Sequence, residues 1–191
     1  MGEYDLYIQM LDPRFMSKDQ SVLTEKNNGQ LIHKVNVQFH RVDRYALYRF
    51  DEHEIDFLPF FRKGSGSGVP RGLRIFCDYI LLAEMRGKMY VLLIEMKSGK
   101  TNDAVKQLDA SELFMEYICK SAERVKLQNG DISFDKNNVC VRKIIVKKLD
   151  AKRHKSVTKG YKMPLECVER TDCMKLVSLD FPILNICVQR V

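Results

Sequence analysis

Three charged residues stand where apolar residues dominate. In the stretch YVLLIEMKSGK, from Tyr90 to Lys100, five apolar or aromatic residues lead into Glu95, Met96 and Lys97. In IFCDYILL a single charge, Asp78, interrupts another apolar run. Strand side chains alternate faces, so Glu95 and Lys97 project from the same side. The two runs are joined by MRG around Gly87, an antiparallel hairpin signal. A hairpin centred there sets Asp78 opposite the Glu95 to Lys97 end of its neighbour, so two carboxylates and one ammonium converge. Burying such a group is costly unless the charges are paired or hold a cation. Two carboxylates with room for water and a phosphate oxygen suit Mg2+. A lysine beside them can stabilise charge developing on a phosphorane-like transition state, or orient and deprotonate the attacking water. That is the chemistry of metal-assisted phosphodiester hydrolysis. The plainer alternative is a solvated strand edge, with Asp78 pairing to Lys97 or Arg86 across the hairpin.

The surrounding elements must position these residues. SKDQSVLTEKNNGQLI (Ser17 to Ile32) offers Asp19 or Ser17 as N-cap, helix formers through Glu25 and an Asn-Asn-Gly stop, which predicts a short helix. HKVNVQFHRVDRYALYRF alternates Val35, Val37 and Phe39 with polar neighbours, the period of a half-buried strand continuing into a hairpin. RKGSGSGVPRG is a loop by composition. After the Asp78 and Glu95 strands, Thr101 to Val125 opens on Thr101, Asn102 and Asp103 as caps, and places Val105, Leu108, Met115, Ile118, Ala122 and Val125 on one helical face. NVCVRKIIVKKL reads as a further strand, and MKLVSL and ILNICVQRV as two short ones. Helix, strands, helix, strand predict an α/β protein with a mixed central sheet flanked by helices.

With 191 residues the chain fits one domain over 1–191, its core at about 17–149 and its C-terminal strands and basic segment in 150–191. At 45% hydrophobic and 30% charged residues it is ordinary globular material, neither disordered nor collagen-like. No apolar run approaches the roughly 20 residues that cross a bilayer. The opening MGEYDLYIQML lacks the basic start and long apolar block of a secretory signal, so a cytoplasmic protein with no membrane partner is expected. The six cysteines form no Cys-x-x-Cys pair, which predicts reduced thiols, and the four histidines have no ligand spacing. SGKT at Ser98 to Thr101 lacks the earlier glycine of a phosphate loop, Ile94 standing in its place.

Charge is unevenly placed. From Val141 to Lys162 nine Lys or Arg stand against one acid, in a chain whose net charge is +7, so the remainder is near neutral. Concentrated positive charge is the footprint of a phosphate-backbone partner. Lys143, Lys147, Lys148, Lys152, Arg153 and Lys155 are the candidates for holding it.

Asp78, then Glu95-Met96-Lys97 at a strand end, then a helix, resembles the PD-(D/E)XK nuclease superfamily of restriction endonucleases and of recombination or repair exonucleases. The resemblance implies a restriction-endonuclease-like core of helix, three-strand meander, helix and strand. It implies Mg2+, with Mn2+ able to substitute, held by Asp78, Glu95 and the Met96 carbonyl, and it makes Lys97 catalytic. Gln107 stands where many members carry a polar residue in the following helix. Cys77 replaces the family's proline, and Ser111 stands where the exonuclease-type pattern puts tyrosine, so that branch is not assigned. Members often add a glutamate from the first helix; Glu25 is the candidate, with Glu52 and Glu54 as rivals. The implied substrate is nucleic acid, DNA before RNA. Cutting both strands of a duplex implies a homodimer, or a partner protein that supplies targeting.

Two other readings stand beside a Mg2+-dependent nuclease. A non-catalytic nucleic-acid-binding subunit with the same fold would bind in a salt-sensitive way that survives chelation. A small α/β interaction protein with a charged hairpin would bind neither nucleic acid nor metal.

Overall fold

The apolar runs flanking Gly87 pair as expected. The computed structural model describes residues 2–27, 30–38, 42–50, 75–97, 102–128, 135–147, 166–169 and 185–187, and among them are two α-helices and eight strands. These are α1 (Glu3–Met10), β1 (Val22–Asn27), β2 (Gln30–Gln38), β3 (Arg44–Arg49), β4 (Tyr79–Met85), β5 (Lys88–Lys97), α2 (Asn102–Gln128), β6 (Val139–Lys147), β7 (Glu166–Glu169) and β8 (Asn185–Cys187). β4 and β5 are antiparallel from Met85 opposite Lys88 to Tyr79 opposite Ile94. Their two-residue loop has positive φ at both positions, 51° at Arg86 and 72° at Gly87. That pattern matches the right-handed twist of the strands it joins.

A five-stranded sheet runs β3-β4-β5-β6-β7, with β5 and β6 parallel and the other neighbours antiparallel. The parallel step needs a long crossover, and α2 lies within it. The sheet is therefore mixed and the protein α/β. Both faces are covered, which explains why β4 and β5 read as nearly unbroken apolar runs rather than as alternation. On one face Ile80, Leu82, Val91, Leu93 and Ile145 pack with Leu6 and Tyr7 of α1 and with Leu108, Met115 and Ile118 of α2. On the other face Tyr79, Leu81, Leu92, Ile94, Met96 and Val146 pack with Leu23 of β1. Each fully buried Leu or Ile here contributes about 1.5–3 kcal/mol relative to exposure. Among the described residues no helix is long and apolar enough to cross a membrane.

Two expectations are corrected. Ser17 to Ile32 is not a helix, since β1 and β2 pair antiparallel across it up to Asn27 opposite Gln30. The Asn28-Gly29 dipeptide between those strands is a hairpin signal, and burial of Leu23 against the sheet outweighs the helix propensity of its neighbours. β2 does not turn back onto β3; it pairs with β8 in a separate three-stranded sheet ordered β1-β2-β8. The first helix is α1, which carries Glu3 and Asp5 in its first turn, where they favour the helix dipole. The long helix and the β6 strand stand where periodicity placed them, and β8 falls within ILNICVQRV. MKLVSL lies outside the described residues.

Candidate active site

The hairpin register places Asp78, directly ahead of β4, across from Glu95. The Asp78 N–H donates to Glu95 Oε2 at 3.1 Å, and the Met96 N–H donates to Asp78 Oδ2 at 2.7 Å. The alternation that sends Leu93 toward α2 gives Glu95 and Lys97 that same face. The Lys97 ammonium forms an ion pair with Glu95 Oε1, the carboxylate being 0% exposed and the lysine side chain 22%. The acid is thus sealed in the protein while its cation reaches toward the surface. Burial, and then the Asp78 charge, push the Glu95 carboxyl well above the ordinary carboxylate range, opposed by the Lys97 ammonium.

α2 supplies the remaining partners. Gln107 accepts from Lys97 Nζ through Oε1 at 3.1 Å and donates through Nε2 to the Phe76 carbonyl at 3.2 Å. Gln107 therefore joins Asp78, Glu95 and Lys97 in one connected group. Ser111, one turn further on, accepts the Cys77 N–H at 2.8 Å. The sequence alone gave Ser111 no role, although a small polar residue between Leu108 and Met115 on an apolar helix face is a detectable signal. Buried Cys77 has its thiol pushed up to about 12, above all by burial, so it stays protonated and unreactive.

Three of the other sequence candidates, Glu25, Lys143 and Lys147, lie among the described residues. Glu25 lies on β1, not on a helix, and β1 packs through Leu23 on the sheet face opposite α2. The one glutamate of α1, Glu3, accepts the Asp135 N–H at 3.0 Å, near the start of β6 and away from its Lys147 end. Glu52 and Glu54 lie outside the described residues. Lys143 is held by Asp109 at 2.8 Å and Glu112 at 2.5 Å, its side chain only 14% exposed. Those carboxylates lie on α2, so Lys143 ties β6 to the helix. In the parallel register Lys147 stands beside Lys97, at the end of the sheet that carries the carboxylates. Lys148, Lys152, Arg153 and Lys155 lie outside the described residues.

Among the described residues no group of three or more His, Cys, Asp or Glu is gathered for a metal, so any cation here would rest on a carboxylate pair. Glu95 Oε1 is buried and, among the described residues, makes no aligned hydrogen bond, only the Lys97 ion pair. Glu95 and Asp78 are the two hard oxygen donors that Mg2+, which takes one or two carboxylates and keeps several waters, would use, and Lys97 would have to release Glu95 Oε1 for the ion to take it. Compared with protein-family models, with curated proteins and with solved structures, the chain finds no match.

Proposed function

We propose that the protein is a divalent-metal-dependent nuclease that hydrolyses phosphodiester bonds of nucleic acid, with DNA as the favoured substrate. The observation that carries the proposal is the convergence of Asp78, buried Glu95, Lys97 and Gln107 at one end of the β4–β5 hairpin. The β3–β4–β5 meander followed by α2 and β6, with β1 and β2 inserted between α1 and β3, supports the restriction-endonuclease-like core implied by the sequence motif.

In this reading Asp78, Glu95 and the Met96 carbonyl hold the cation. Bound Mg2+ supplies Lewis acidity toward a phosphoryl oxygen and a lowered pKa for water. The Asp78–Met96 hydrogen bond fixes one carboxylate against the strand that bears the other, so little reorganisation is left for the reaction. Lys97 has Gln107 as a second partner besides Glu95. That ammonium would stabilise developing negative charge on the phosphate or orient the attacking water. The basic strand end at Lys147 and the residues after it guide the backbone. A duplex cut on both strands needs two such sites, from a homodimer or a partner protein.

The test is cleavage of linear, circular and single-stranded DNA by the wild type and by Lys97→Ala, with Mg2+ and with a chelator. Cutting that needs the metal and disappears in the variant supports the proposal. Equal retention of DNA by both proteins with no cutting replaces it with a binding subunit.

A further inference from the structure

Helix α2 touches the strand entry ahead of Asp78 at two points one turn apart. Gln107 Nε2 donates to the Phe76 carbonyl at 3.2 Å, and Ser111 Oγ accepts the Cys77 N–H at 2.8 Å. The Ser111 hydroxyl donates in turn to the Gln107 carbonyl at 2.9 Å. This is the bond back along the helix that serine can make, and it leaves the oxygen lone pairs for Cys77. Ser111 is 0% exposed, on a face whose other buried members are Ala104, Leu108, Met115, Ile118 and Ala122. A hydroxyl in such a place is unfavourable unless both of its bonds are made, and here both are.

What the hydroxyl holds is the residue directly before Asp78. Adjacent Cα atoms are separated by a fixed distance of about 3.8 Å, so displacement of Cys77 is passed to Asp78. From there the connection continues through the Asp78 N–H to Glu95 Oε2 and through Asp78 Oδ2 to the Met96 N–H. The sequence Ser111, Cys77, Asp78, Met96 is a continuous line of hydrogen bonds and one peptide link from the helix to the carboxylate pair. We infer that Ser111 is a positioning residue of this centre, setting where Asp78 stands relative to Glu95 by fixing the Cys77 backbone. Its purpose rests on the nuclease reading; its geometry does not.

The test uses the full chain and two readouts. In metal-free protein, amide hydrogen exchange of Asp78 and Met96 is expected to lose protection by about tenfold or more in Ser111→Ala, because an unsatisfied buried donor loosens the strand entry. Ile118→Val trims packing on the same helix face about two turns beyond Ser111, removes no hydrogen bond of the entry, and is expected to leave both amides as in the wild type. Ser111→Thr, whose hydroxyl can make the same bonds, is expected to retain protection. Ser111→Cys fills the space with a poor acceptor and is expected to lose protection, standing in if the alanine variant does not fold. With Mn2+ as probe, Ser111→Ala should bind about 10–100-fold more weakly, the usual loss when an outer partner of a ligand is removed. Unchanged Met96 protection in Ser111→Ala, or an equal loss in Ile118→Val, overturns the inference. Protection lost in Ser111→Ala while the wild type itself binds no Mn2+ removes the nuclease reading and leaves the positioning role in place.

Discussion

Asp78 and Glu95 hold each other through the backbones of their strands: the Asp78 N–H donates to Glu95 Oε2, and the N–H of Met96, next to Glu95, donates to Asp78 Oδ2. The pair is therefore set by the hairpin register itself, and a one-residue slip would send the Glu95 carboxylate to the other face.

That placement gives Glu95 a pH signature. Its folded carboxyl is raised, first by burial and then by the Asp78 charge, whereas the unfolded group titrates at about 4.3. The folded state binds the extra proton, so this contribution to stability is full below the unfolded value. It is lost as pH rises through the higher folded value. Metal-free wild type is expected to melt several degrees lower at about pH 9 than at about pH 6, each 1 kcal/mol being worth about 2–4 °C at this size. Mg2+ or Mn2+ should reverse the loss, and Glu95→Gln should remove both the pH dependence and the metal response. Thermal melts across pH in chelator and in metal check this; a Glu95→Gln profile as steep as the wild type's contradicts it.

Lys97 offsets charge on Glu95 and reaches the surface, so its removal has two separable effects. Lys97→Ala is expected to lower cleavage by about 10²–10⁴-fold, the range for a positioned proton-transfer group. In chelator it should also destabilise the protein at high pH, where Glu95 is ionised without its partner, and much less at low pH, where Glu95 is neutral. Lys97→Arg keeps the charge but puts a planar guanidinium where a compact ammonium stood, and is expected to rescue stability better than cleavage. Single-turnover assays alongside melts separate the two, and parallel recovery of both by Lys97→Arg would contradict the assignment.

The centre of the fold was legible because its signals were local. Asp78, Gly87, Glu95 and Lys97 lie within one hairpin, where alternation and turn position fix who faces whom, and α2 announces itself by period. Gln107 was reachable only through the family resemblance, since nothing in its own neighbourhood marks it out; its tie to Phe76 and Lys97 is a tertiary fact. The place of Ser111 on an apolar helix face is a local signal of a buried hydroxyl, but its partner, the Cys77 N–H, is again a tertiary fact. The Ser17 to Ile32 stretch failed for a different reason. Asn28-Gly29 serves equally as a helix stop and as a hairpin turn, and what decides is Leu23 packing against Leu47 and Tyr79, residues far along the chain.

The β4–β5 turn carries a residue that suits it poorly. Arg86 has φ 51°, a left-handed conformation that favours Gly and Asn and disfavours longer side chains. Its N–H is used by Asp43 Oδ2 at 2.8 Å, and an asparagine keeps that donor. Arg86→Asn creates the Asn-Gly pair preferred in such turns and is expected to stabilise the protein by about 0.5–1 kcal/mol, with cleavage unchanged. Gly87→Ala, at φ 72°, should destabilise by about 1 kcal/mol. Denaturant unfolding of both variants reads the difference, and a destabilised Arg86→Asn would show that the arginine side chain matters more than its backbone.

The basic segment divides at Lys143. Sequence alone placed Lys143 with the nucleic-acid contacts, but Asp109 and Glu112 of α2 already hold its ammonium, and a lysine so paired has little charge left for a phosphate. Lys143→Ala is expected to lower stability by about 1 kcal/mol and to leave the salt dependence of DNA binding unchanged. Replacing Lys152, Arg153 and Lys155 together with alanine should instead flatten the plot of log affinity against log salt, by about 0.9 for each duplex phosphate that is no longer neutralised. Binding titrations over a range of salt distinguish the cases. A flatter slope in Lys143→Ala would mean that DNA competes with Asp109 and Glu112 for that lysine, and would move the backbone track from the end of β6 onto the strand itself.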